Sequence, residues 1–167
     1  MIIENDFKDN WAEIASRTKL KHLQREEVQE KETLVVINVL DHQYALTINE
    51  IKEIIAVPHI TPIPQTPKYI MGVGNIRGNV FALLDLNKRI LKEPFGINKF
   101  VVVLKSAELK LGLLINNPPE TFVVEKAKIN YSSAVLQPLS KEDDFIKGIY
   151  KQEERMIFLL DINKIAS

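Results

Sequence analysis

The chain has 167 residues, which fits one large domain or two small ones; 46% are apolar and 26% charged, so it can bury a core and is not a disordered polymer. Basic and acidic residues number 22 each, and a net charge of zero argues against a nucleic-acid binder. There is no cysteine, which removes disulfides, thiolate metal sites and cysteine nucleophiles together, and no apolar run approaches the ~20 residues that span a bilayer.

The start of the chain, MIIENDFKDNW, has no basic segment ahead of an apolar stretch, so the expectation is a cytoplasmic protein without a signal peptide. Asn10 and Glu13 have the spacing of a capping box, and Trp11, Ile14, Ala15 and Thr18 share one helical face. This predicts an amphipathic helix over 10–24 within an N-terminal extension of residues 1–32. The helix either packs on the body of the chain or docks a partner. From Thr33 the texture becomes β. Residues 33–40 and 43–48 read as a hairpin around Asp41-His42. Residues 49–55 suit a helical turn or a short strand. Pro58, Pro62, Pro64 and Pro67 then make an edge strand or extended loop, because proline lacks the ladder donor. Residues 69–76 and 79–84 are strands around Arg77-Gly78, and 85–91 is a short helix capped by Asp85.

Pro94-Phe95-Gly96 marks a boundary between a first unit, 33–94, and a second, 95–167. In the second, 100–105 and 109–115 form a hairpin and 122–124 a short strand. Residues 126–144 are mostly loop, 145–151 and 155–161 are strands, and 162–166 closes as a helical turn. Five short strands per unit indicate small β-barrels.

The units repeat one another. Residues 69–90 (YIMGVGNIRGNVFALLDLNKRI) align without a gap to 145–166 (FIKGIYKQEERMIFLLDINKIA) at an offset of 76, with seven of 22 positions identical. Residues 44–49 align to 111–116 at an offset of 67, so the second unit gains about nine residues, placed around 126–142. The chain builds one small unit twice, and a site between two such units would be a cleft for a partner.

No catalytic constellation stands out. GVGNIRG at 72–78 lacks the glycine that a dinucleotide fingerprint needs at 77, and a strand follows where a helix should. His22, His42 and His59 do not cluster as metal ligands do, and Asp85 and Asp161 are explained as helix caps. Neither a cofactor nor a metal is expected. Arg77 lies at a turn between apolar strands, with Glu153 as its repeat counterpart, and Glu53 lies beside Lys52 in the segment 51–57, whose other residues are apolar. They are either solvated charges or an ion pair that rigidifies an interaction surface.

Taken together, IKEII at 51–55, ITPIP at 60–64, PKYIMGVGNIRG at 67–78 and VFALLDL at 80–86, with FIKGIY at 145–150 and IFLLDI at 157–162, resemble the CheW family of chemotaxis coupling proteins. The resemblance covers residues 33 to 167. It implies a mainly β protein of two five-stranded SH3-like barrels around a shared hydrophobic core, with short additional helices. It implies no enzyme, but a cytoplasmic adaptor that joins chemoreceptor tips to the regulatory domain of a CheA-type histidine kinase, peripheral to the membrane only through receptors. It also implies that Arg77 and Glu53 are the charged positions associated with receptor coupling and local integrity, and that Ile51, Gly72 and Asn75 lie near a receptor-facing groove. An adaptor in a non-motility signalling array, or a small-ligand sensor using the cleft between barrels, are the other readings. Residues 1–32 lie outside the resemblance, and Asn79 stands where an apolar residue often follows Arg-Gly.

Overall fold

A computed structural model of the chain describes residues 10–18, 29–137 and 143–167. It comprises two compact units, Met1–Glu30 and Lys31–Ser167. In the first, helix α1 covers 10–18. Ser16 and Thr18 hydroxyls donate to the carbonyls of Ala12 and Ile14, and Arg17 pairs with Glu13 at 3.1 Å. Asn10 is itself helical rather than at the expected cap position. The expected reach of this helix to residue 24 lies outside the described residues.

The second unit runs β1 (Lys31–Val39), β2 (His42–Thr47), a 3-10 turn (Ile48–Glu50), β3 (Ile51–Ala56), β4 (Ile70–Ile76), β5 (Asn79–Asp85), α2 (Leu86–Leu91), β6 (Phe100–Leu104), β7 (Leu111–Ile115), β8 (Glu120–Glu125), β9 (Ile129–Asn130), α3 (Ser133–Leu136), β10 (Ile146–Gln152) and β11 (Arg155–Leu160). Segment 49–55 is thus both things its sequence allowed, a turn and then a strand. The Asp85 carboxylate caps α2 by accepting from the Lys88 amide at 3.0 Å. Asp161 plays the matching part in the closing turn, where its Oδ1 accepts from the Asn163 amide at 2.9 Å.

The strands form two sheets. One has the order β3-β6-β7-β5-β4, the other β8-β1-β2-β11-β10-β9. This corrects the expected division into 33–94 and 95–167. The five-stranded sheet takes the continuous stretch from β3 to β7, and the boundary placed at Pro94 falls inside it. The six-stranded sheet is split, with β1 and β2 inserted between β8 and β11. Each repeat therefore lends its leading hairpin to the other's sheet. The duplication is visible in the ladders. The parallel pair Ala82↔Leu111 corresponds, by offsets of 76 and 67, to Phe158↔Tyr44. The β-bulge between Ile70 and Gly72 recurs between Ile146 and Gly148. The expected five strands per barrel become six in one sheet because Asn130 pairs with Ile149. In the other sheet the corresponding contact shrinks to a lone bridge, Thr61↔Val73. Pro58, Pro62 and Pro64 flank that bridge and supply no amide donors to extend it.

The exchange follows from the composition of the hairpins. Strands half-exposed on one face alternate apolar and polar residues; those covered on both faces read as unbroken apolar runs. Val101, Val103 and Leu114 point into the five-stranded barrel, while Val102, Leu104, Leu111, Leu113 and Ile115 join a second core shared with the other sheet. Likewise Leu34, Val36 and Ala45 fill the six-stranded barrel, while Ile37, Val39, Tyr44 and Leu46 face the shared core. Burying such a side chain contributes roughly 1.5–3 kcal/mol, so a hairpin with one face in water would forfeit several of these terms. The shared core packs apolar side chains from both sheets against one another, as the family resemblance implied.

Arg89 stands at the centre of the duplication. It is 6% exposed and lies between the rings of Tyr69 and Phe145, at 5.0 and 4.6 Å from their centroids. Its Nε donates to the Ile165 carbonyl at 2.7 Å. Tyr69 and Phe145 are repeat counterparts, and so are residues 89 and 165. One guanidinium thus occupies the place where the two copies meet.

Candidate docking site at the Arg77 turn

The β4–β5 hairpin ends in a two-residue turn with positive φ at both positions, 51° at Arg77 and 81° at Gly78. Such turns match the twist of the flanking strands and favour residues that tolerate the left-handed region. The Asn75 side chain closes the turn, its Oδ1 accepting from the Gly78 amide at 2.9 Å. Glu153, the counterpart of Arg77, also has positive φ (54°), so this backbone belongs to the repeat rather than to arginine.

Arg77 reaches from this turn to Glu53 on β3. Its Nε donates to both carboxylate oxygens at 2.9 Å, and Nη2 lies 2.9 Å from Oε2. β3 and β4 are the outer strands of their sheet, so the pair bridges the seam of the barrel. The two ends differ in exposure: the Glu53 side chain is 19% exposed and that of Arg77 71%. The hydrogen bond from Arg77 holds the Glu53 carboxyl below its ordinary range; burial opposes this, and the charges of Arg77 and Lys52 add to it. The same bond raises Arg77. Of the two readings of these charges, the structure realises the ion pair. Its carboxylate is held down and much of its guanidinium faces solvent.

The other sheet closes its seam differently. Glu120 pairs with Val36 in the register at which Glu53 pairs with Val103, so the carboxylate is repeated. Its arginine is Arg155, and the approach is loose, 4.0 Å. Arg155 instead lies over the Phe122 ring at 4.2 Å and donates through Nε to Gln43 at 2.8 Å. Seam closure therefore does not require an arginine presented to solvent.

Among the remaining predicted residues, Gly72 is buried in β4 at φ 139°. A Cβ there would fall 2.2 Å from the Thr61 carbonyl oxygen, so glycine is what lets the Thr61 segment lie against β4. Ile51 begins β3 and is half-buried against the shared core, apart from the turn. Glu53, Asn75 and Arg77 are thus brought together, Gly72 supports them from within β4, and Ile51 marks the junction of the sheets. A groove of about 260 Å3 lies beside them, lined by His59, Thr61, Val73, Gly74, Asn75 and Val80. Of the three residues expected near a groove only Asn75 lines this one, and the sequence reading did not place the other five there. Among the described residues no three histidine, aspartate or glutamate side chains gather as metal ligands would, and no helix is long and apolar enough to cross a membrane.

Two interlocked SH3-like barrels that present a pinned charged turn beside a shallow groove define an interaction module of the adaptor class. Residues 33–167 match the family described as CheW-like domain, and the chain belongs to that family. The chemotaxis protein CheW of Helicobacter pylori is 31% identical over 128 residues, 75% of each chain. That of Bacillus subtilis is 26% identical over 141 residues, 83% of this chain and 89% of the relative. The crystal structure of scaffolding protein TtCheW from Thermoanaerobacter tengcongensis matches with a TM-score of 0.68 at 26% identity, covering 78% of this chain and 89% of that one.

Proposed function

We propose that this chain is a non-enzymatic, cytoplasmic scaffold of chemosensory signalling that couples the cytoplasmic tips of chemoreceptors to the regulatory domain of a CheA-type histidine kinase. It meets the membrane only through those receptors. Receptor tips engage the surface around Arg77, Glu53 and Asn75, with Gly72 and Ile51 shaping the strands beneath.

One observation supports this placement above the others. The two barrels are copies, and both carry a carboxylate at the seam, yet only one holds its arginine in a bidentate pair facing solvent. A guanidinium fixed in this way keeps little conformational freedom to lose on binding. The apolar cluster shared by the two sheets favours the scaffold reading over a small-ligand sensor.

The test is Arg77→Ala in the full chain, titrated calorimetrically against a receptor-tip fragment and, separately, against a kinase regulatory domain. Loss of a central interface arginine weakens binding roughly tenfold or more. That loss is expected for the receptor tip, with kinase binding and melting temperature little changed. Equal loss at both partners, or none, removes Arg77 from the receptor surface.

A further inference from the structure

A second groove, of about 590 Å3, opens on the five-stranded barrel, and its chemistry differs from that of the Arg77 turn. Lys52 on β3 and Lys105 and Lys110 in the β6–β7 connection line it, over a floor that includes Phe81 and Leu104. All three lysines are exposed, whereas Phe81 and Leu104 are 6% and 2% exposed. Among the described residues none of the three closes an ion pair with a carboxylate, and Lys110 Nζ rests on the neutral Asn79 Oδ1 at 3.2 Å. In a chain whose acids and bases balance, this groove gathers positive charge around an apolar floor, and among the described residues only Lys52 has a carboxylate, Glu53, within reach of its charge.

We propose that this groove docks an acidic peptide segment of a protein partner, whose carboxylates meet the three lysines while one apolar side chain of the segment covers the floor. Charge complementarity names the sign of the ligand, and the floor names the rest. A free phosphate or sulfate has no use for Phe81 and Leu104. A nucleic acid would call for exposed rings to stack on, and the one ring at the groove is buried. Lysine heads can follow a carboxylate while their methylene stems extend the apolar wall. Lys105 and Lys110 share no ion pair or hydrogen bond with the Glu53–Arg77 side chains, so changing these two lysines tests this contact apart from the receptor surface proposed above.

The probe is a fluorescein-labelled EELEELEE peptide, titrated into the isotope-labelled full chain by fluorescence anisotropy and amide chemical-shift mapping. Expected shifts centre on Lys52, Lys105, Ser106 and Lys110. Affinity should fall about fivefold or more between low and moderate salt, because the lysines are exposed. Lys105→Gln/Lys110→Gln should weaken binding roughly tenfold without moving the melting temperature. Shifts centred elsewhere, or undiminished binding by the double variant, overturn the proposal. Equal binding of EEAEEAEE, or displacement of the peptide by an equal concentration of duplex DNA or tripolyphosphate, overturns it too, since the groove would then be a general polyanion surface.

Discussion

Replacing Arg89 tests how the two copies are joined. Arg89→Ala deletes a hydrogen bond from a charged donor to the buried Ile165 carbonyl, worth about 1.5–3 kcal/mol. It also removes two partly desolvated cation–π contacts, with Tyr69 and Phe145, at about 1 kcal/mol each. A cavity between the rings adds to the cost, and release of a buried charge from an apolar setting subtracts from it. The balance is a loss of about 3 kcal/mol. Arg89→Met should recover roughly half, because an unbranched thioether fills the slot and sulfur packs well against rings. Urea unfolding followed by far-UV circular dichroism reads both values, and hydrogen exchange at the Lys164 and Ile165 amides reads where stability is lost. These amides donate to the Asp161 carbonyl, and their protection should fall first. An Arg89→Ala loss below about 1 kcal/mol, with exchange unchanged there, would refute the view that this guanidinium holds the copies together.

Gly72→Ala should destabilise by roughly 2–4 kcal/mol, since the new Cβ meets the Thr61 carbonyl and the φ of 139° is one that glycine alone adopts without strain. A variant as stable as the parent in the same urea assay would show that the Thr61 segment moves aside freely. The Glu53 carboxyl should titrate below its ordinary 4.5. The stability it contributes is then whole above the unfolded-state value and lost as pH falls through the lower folded one. Carbon-detected NMR titration measures this midpoint, and Arg77→Ala should raise it. A wild-type midpoint at or above the ordinary value would contradict the pairing.

Much of the fold could be read from the chain because local pattern and tertiary burial agree there. The strands around Arg77-Gly78, the Asp85 cap and the repeat of 69–90 at 145–166 all rest on period, turn chemistry and identity. The exchange of hairpins could not be read. Residues 33–40 and 100–105 announce burial on both faces, but not whose sheet covers them, and Pro94-Phe95-Gly96 is as good a loop within a barrel as between two. The Glu53–Arg77 pair was legible as one of two readings because one charge lies within an apolar strand and the other at a turn between two. Arg155 over Phe122 was not, because nothing in the spacing of 122 and 155 says they meet. The three lysines were hidden for a similar reason: Lys52 stands far in sequence from Lys105 and Lys110, and only the β3–β6 ladder makes them neighbours.

The exchanged hairpins make this chain the one-polypeptide counterpart of a domain-swapped dimer. A single copy of the repeat would complete its sheet only with a hairpin donated by a second copy. Joining the copies end to end turns that encounter into an intramolecular one at high effective concentration. The polypeptide passes from one sheet to the other twice, between β2 and β3 and again between β7 and β8. Neither barrel can rotate against the other without dragging a strand from its own middle. What docks on one barrel is thereby held at a set angle and distance from what docks on the other, and a scaffold needs that geometry more than it needs strong contacts.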